Sequence, residues 1–134
     1  MIKIDFHTHS TSSDGLMSPK EVVERAYQNG VKYLALTDHD TVSGLHNAIQ
    51  TAKEINLSFI PGIELSTTHN KESVHILGFF KDDSYMNDEF IHYLQTLKDK
   101  RKIRAEKMIQ KLKEVFNIEI SLDNVLKRGK DVVA

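Results

Sequence analysis

Residues 31–40 read Val31-Lys32-Tyr33-Leu34-Ala35-Leu36-Thr37-Asp38-His39-Asp40, an apolar run that ends in an imidazole between two carboxylates. A short apolar segment bounded by polar residues reads as a buried strand. It is preceded by a helix with both ends marked. Ser18-Pro19-Lys20-Glu21 supplies an N-cap, a proline at the first position and a glutamate reaching back as a capping box. Val22, Val23, Ala26 and Tyr27 form one apolar face, and Gly30 is the expected stop. The pattern continues in both directions. Upstream, Ile2 to Phe6 alternates into a strand that ends at His7. Downstream, Leu45, Ala48, Ile49, Ala52 and Ile55 line a second helix that ends near Asn56. Leu57 to Ile63, with Pro61-Gly62 near its exit, is a third strand and Ser73 to Phe80 a fourth. Alternating strands and helices predict an α/β fold with parallel strands. A long helix follows from about Asp88 to Phe116, and Ser121 caps a last short helix that stops near Gly129.

The 134 residues suit one domain, and 40% hydrophobic with 28% charged residues is an ordinary globular composition. No run approaches the length of a membrane span. Met1-Ile2-Lys3-Ile4-Asp5 leaves no expected room for a signal peptide, so a cytoplasmic address is the default expectation. The absence of cysteine excludes a disulfide framework and thiolate metal ligands. The net charge of −1 is unevenly spread. Lys98 to Lys113 holds eight Lys/Arg against two Asp/Glu, a local +6, and the remainder carries −7. A basic segment of this kind is ordinarily a solvated helix face.

The polar residues at the strand ends carry the chemistry. His7 and His9 flank Thr8 at the end of the first strand, and alternation puts residues i and i+2 on one face. Such a pair can hold a cation or simply form polar surface. Asp14, in Ser12-Ser13-Asp14-Gly15, has the composition of an Asx turn as well as a ligand's carboxylate. Acidic helix caps explain Asp38 and Asp40 but not His39, whose tautomer either carboxylate could fix. Glu64 follows Ile60-Pro61-Gly62-Ile63, where an unpaired carboxylate is costly. His75 lies in Val74-His75-Ile76-Leu77-Gly78, where a satisfied core histidine is the simpler reading. Together, four successive strands each bring imidazole or carboxylate to what should be one edge, where parallel α/β folds build their sites. Mixed His/carboxylate ligation fits a catalytic polynuclear metal site, with Mn, Fe or Zn as the divalent ions.

The order His7-Thr8-His9-Ser10, Ser13-Asp14-Gly15, Thr37-Asp38-His39-Asp40, Gly62-Ile63-Glu64 and His75-Ile76-Leu77-Gly78 resembles the PHP (polymerase and histidinol phosphatase) domain family. It is most similar to the branch of small metal-dependent phosphoesterases acting on nucleotides and short RNA. The resemblance covers Met1 to about Phe80. It implies metal-ligand roles for His7, His9, Asp14, His39, Glu64 and His75, a centre of up to three ions, and a distorted (β/α)7 barrel. It further implies that residues 1–97 are the N-terminal half of that barrel and 98–134 the start of a helical insertion. A typical member is about twice as long and adds a G-R-P-H-like motif and a D-x-H pair, so the chain is expected to be a fragment. A half-barrel would expose strand edges and favour association with a second copy.

The implied activity is hydrolysis of phosphate esters of small nucleotides or RNA ends through a metal-bridged hydroxide, with the cations neutralising phosphoryl oxygens. Asp40 or a coordinated water is the candidate proton donor. On the long helix the apolar stripe Phe90, Leu94, Leu97, Met108, Leu112 passes through Arg101 and Arg104. Arginines on an inward stripe need an anion or a carboxylate, and Arg suits bidentate phosphate recognition. Both are therefore candidate substrate-binding residues, or else the helix projects there into water. The other lysines fall elsewhere around the helix. No DNA-binding module and no membrane partner are expected. Two rival functions remain: an amidohydrolase-type enzyme, which also opens with H-x-H, and a non-catalytic metal-stabilised module.

Overall fold

The computed structural model describes residues 1–129. The first helix begins where local chemistry dictates. In α1 (Pro19–Gln28) the Ser18 hydroxyl accepts from the Glu21 N–H while Glu21 reaches back to the Ser18 N–H, a complete capping box. The helix ends at Asn29, and Gly30 turns the chain at φ +78°. The second helix, α2 (Leu45–Glu54), ends through Ile55 and the left-handed Asn56. The strands β1 (Lys3–Asp5), β2 (Val31–Leu36) and β3 (Ser58–His69) lie side by side and parallel, with α1 and α2 as the crossovers.

Both helices pack on one face of this sheet. Val22 and Val23 of α1, Leu34 and Leu36 of β2, and Leu45, Ala48 and Ala52 of α2 form the buried core, closed below by Leu57. The opposite face keeps Ile4, Phe6, Tyr33, Leu77 and Phe79 exposed, with Phe6 and Phe79 meeting edge to face at 6.1 Å.

The fourth strand corrects an expectation. β4 (Glu72–Phe79) runs antiparallel to β3, and β3 extends five residues beyond Glu64. The reason is a two-residue hairpin. Asn70 and Lys71 both have positive φ, the backbone of a type I′ turn between the paired residues His69 and Glu72. Glu64 and His75 are therefore mid-strand residues of a hairpin rather than residues at a shared C-terminal edge. Gly62 stands where β3 passes from parallel to antiparallel pairing. A Cβ there would meet the Thr37 methyl at 2.8 Å and the Leu36 and Gly78 carbonyls at 3.1 Å, so only glycine admits this approach.

A 3-10 turn (Asp83–Met86) leads to α3 (Asp88–Phe116), capped by Asn87, whose side chain accepts from the Phe90 N–H at 3.0 Å. It runs unbroken across residues 97 and 98 and ends at the left-handed Asn117. The last described element is α4 (Leu122–Gly129). Among the described residues no helix is long and apolar enough to cross a membrane.

Lys71 pays the steric cost of a left-handed backbone, about 1–2 kcal/mol, part of which glycine returns through its greater unfolded-state freedom. Lys71→Gly should raise stability by up to about 1 kcal/mol in urea unfolding. A loss of stability would contradict the I′ turn.

Candidate metal centre

Strand β1 stops at Asp5, yet the chain stays beside β2 because Thr8 holds it there. The Thr8 hydroxyl donates to the Ala35 carbonyl at 2.6 Å, and the Thr8 carbonyl accepts from the Thr37 N–H at 2.8 Å. With Thr8 turned towards β2, His7 and His9 share the other side, their rings 5.0 Å apart. The rings continue from His9 to His39 at 4.7 Å and from His39 to His75 at 4.9 Å.

Glu64 lies under all four imidazoles, and its residue is only 5% exposed. Its Oε2 is 2.9 Å from His7 Nε2, 3.1 Å from His9 Nε2 and 3.6 Å from His39 Nε2; its Oε1 is 2.9 Å from His75 Nδ1. Backbone bonds fix this position: the Glu64 N–H donates to the Asp38 carbonyl and its carbonyl accepts from the Asp40 N–H. Burial pushes the Glu64 carboxyl up, but hydrogen bonds from His7 and His75 and the neighbouring imidazoles outweigh it and hold the group below the ordinary range. Burial is also the largest influence on His39 and lowers it, against the opposing pull of Glu64 and Asp14. A neutral imidazole with a free lone pair is what a metal requires.

Asp14 completes the cluster, with Oδ1 3.4 Å from His9 Nδ1 and Oδ2 3.7 Å from His39 Nε2. Its loop is shaped by Asp38, which is 2% exposed. Asp38 accepts from the Ser10 N–H and the Ser10 hydroxyl, each at 2.7 Å, and from the Ser13 hydroxyl at 2.6 Å. Gly15 allows the loop to close on itself, since a Cβ there would lie 2.5 Å from the His9 carbonyl oxygen.

The other aspartate turns away. Asp40, at φ +51°, accepts from the Ser66 N–H at 2.8 Å through one oxygen and from Arg101 Nη2 at 2.6 Å through the other. Arg101 Nη2 also donates to the Ser66 hydroxyl at 2.5 Å. Neither aspartate fixes the His39 tautomer, as the sequence had suggested. His39 Nδ1, like His9 Nδ1, is buried without a hydrogen-bond partner.

Three groups of donor atoms result, each within 4.8 Å: His7, His9 and Glu64; His9, Asp14 and His39; and His39, Glu64 and His75. The donor set is nitrogen and oxygen only, and four imidazoles gathered around two carboxylates offer the lone pairs and negative charge that divalent cations take as ligands. The residues present therefore fit divalent cations. An open cleft of about 440 Å³ adjoins them, lined by Asp14, His39 and His75 on one side and by Leu97, Lys100, Arg101 and Arg104 of α3 on the other. Ser66 and Thr68 also line it, and no motif marks them in the sequence. They share the Glu64 face of β3 by two-residue alternation, a signal hidden once the strand is taken to end at Ile63.

The PHP domain matches residues 5–123, so the chain belongs to the PHP domain family. It is 42% identical over 112 residues to a 5′-3′ exoribonuclease of Haemophilus influenzae, covering 84% of this chain and 40% of that protein. It is 36% identical over 108 residues to a 3′,5′-nucleoside bisphosphate phosphatase of Chromobacterium violaceum, covering 81% and 37%. A Chromobacterium violaceum structure described as an amidohydrolase, with sulfate bound and no metal, superposes with a TM-score of 0.86 at 31% identity, covering 98% of this chain and 46% of that one. A structure from Bifidobacterium adolescentis described as a metal-dependent phosphoesterase gives 0.83 at 30% identity, covering 97% and 44%. The chain spans about two fifths of the length of these curated relatives, and its mixed sheet is the corresponding part of a PHP barrel.

Asp38→Ala would remove the acceptor of the Ser10 N–H and of the Ser10 and Ser13 hydroxyls, leaving the buried Ser10 N–H unsatisfied at about 1–3 kcal/mol. Stability should fall by about that amount, with faster amide exchange at Ser10, Ser12 and Ser13. Unchanged exchange there would show that Asp38 does not hold the Asp14 loop.

Proposed function

We propose that this chain provides metal-binding and substrate-binding parts of a phosphoesterase acting on a nucleotide or the end of an RNA strand. The observation that carries the reading is the meeting of a sulfur-free His/carboxylate cluster with an arginine-lined cleft. His7, His9, Asp14, His39, Glu64 and His75 would hold the divalent ions, with Mn, Fe and Zn all compatible with the donors. Such ions, when bound, supply Lewis acidity and a water acidic enough to ionise near neutral pH.

The remaining work falls to the chain itself. Arg101 and Arg104 bind substrate phosphate across the cleft from the cluster, where planar guanidinium groups suit tetrahedral oxyanions. Asp40 has both oxygens engaged, so in this reading it orients Arg101 rather than donating a proton, a revision of the role its position first suggested. The hydroxyls of Ser66 and Thr68 offer further bonds to phosphoryl oxygens.

Hydrolysis of a C–N bond is the second reading, favoured by the description of one structural neighbour. The three cationic side chains at the cleft, Lys100, Arg101 and Arg104, favour the phosphate ester, because an amide brings no charge for them to meet.

The test is release of inorganic phosphate or nucleotide from a nucleoside bisphosphate and from a 5′-phosphorylated oligoribonucleotide, with and without Mn²⁺, beside a panel of amides. Hydrolysis of the phosphate esters that depends on Mn²⁺ is expected. Amide turnover alone would overturn the reading, and no turnover with any substrate would favour a non-catalytic module. Glu64 belongs to two of the three donor groups. Glu64→Gln should therefore lower metal content measured by elemental analysis and reduce turnover more than about 100-fold, beyond what loss of an outer partner costs.

A further inference from the structure

The cleft ends at Arg104, but the positive face of α3 does not. At 3.6 residues per turn, Lys100, Arg104, Lys107 and Lys111 follow one another in steps of four, three and four and fall within an arc of about 60°. Lys100 and Arg104 line the cleft. Lys107 and Lys111 are exposed and continue the same line outward. At 1.5 Å per residue the stripe is about 16 Å long. Among the described residues Lys100, Lys107 and Lys111 have no ion-pair partner. The two acidic residues of the basic segment, Asp99 and Glu106, lie about 110° and 130° around the helix from the middle of the stripe. Glu114, past the last lysine, accepts from Gln110 at 2.8 Å and bounds the stripe. The segment after α3 folds back over a different side, where Ile109, Gln110 and Lys113 face Glu119, Ile120 and Asn124. The line from Lys100 to Lys111 is left open to solvent.

A mononucleotide bound at the cleft would use Lys100, Arg101 and Arg104 and have no phosphate to offer Lys107 or Lys111. A strand that continues beyond its terminal nucleotide would. We propose that this line of α3 is a track for the phosphodiester backbone of single-stranded RNA, so that the substrate is an oligonucleotide held by its end in the cleft and by its following phosphates along the helix. The inference rests on the phosphoesterase reading and extends it from the reacting phosphate to the chain behind it. Sequence-independent grooves for single strands are built from such basic lines, and their affinity falls steeply with salt.

The test measures binding of 5′-phosphorylated RNA of two and of ten nucleotides by fluorescence anisotropy across a salt series, with EDTA present so that nothing is hydrolysed. The ten-nucleotide strand should bind at least about fivefold tighter at low salt. Each phosphate contact contributes about −0.7 to the slope of log K against log salt for single strands, so Lys107→Gln with Lys111→Gln should flatten that slope by about 1.4 for the longer strand. Lys53→Gln with Lys102→Gln removes the same charge away from the stripe and should leave the slope alone. Equal flattening by both double variants, or no dependence on strand length in the parent protein, would overturn the track. Mn²⁺-dependent turnover of a mononucleotide tests the underlying reading separately, so loss of one does not disguise loss of the other. Circular dichroism checks that the exposed substitutions leave α3 folded.

Discussion

A carboxylate buried among imidazoles constrains everything around it. Glu64 could not sit 5% exposed without compensation, since an isolated ionised carboxylate in a protein interior is strongly disfavoured. Four histidines from three regions of the chain supply that compensation. To meet one side chain, the β1 exit, the β2 exit and the β3–β4 hairpin must lie side by side. The parallel strands bring the first two together, and the I′ turn returns His75 to within reach of Glu64. Fold and cluster are thus two descriptions of one set of distances.

The two aspartates beside His39 divide the surroundings between them. Asp38 points back and gathers the Ser10 N–H and the Ser10 and Ser13 hydroxyls, which sets the loop carrying Asp14. Asp40 points forward and ties β3 to α3 through Ser66 and Arg101. The left-handed backbone at Asp40 is what sends adjacent carboxylates in these opposite directions. One short segment therefore organises both the cluster and the helix that roofs the cleft.

Much of this was legible in the residues. The capping box at Ser18 and Glu21, the apolar faces of α1 and α2 and the full extent of α3 follow from local rules, and local rules governed them. The six residues that meet in the cluster were visible because imidazoles and carboxylates stood beside apolar strands. The direction of β4 was not visible, because Asn70-Lys71 lacks the glycine that advertises a hairpin and a lysine with positive φ leaves no mark in a sequence. Ending β3 at Ile63 then concealed the shared face of Glu64, Ser66 and Thr68. The partners of Asp38 and Asp40 depend on how the backbone turns after Thr37, which no periodicity encodes. Arg101 on the inward stripe did signal a need for a carboxylate or an anion, and Asp40 is that carboxylate.

The pairs that make the cluster are also far apart along the chain. His7 and Glu64 are separated by 57 residues, and Arg101 and Asp40 by 61. The helix α1 and strand β2, by contrast, are neighbours in sequence. Closing long loops is entropically costly until other contacts have already brought their ends together. The α1–β2–α2 core can thus assemble from nearby segments, while the polar cluster has to wait for it. On that argument the polar cluster would form late, and a substitution confined to it should hasten unfolding more than it slows folding.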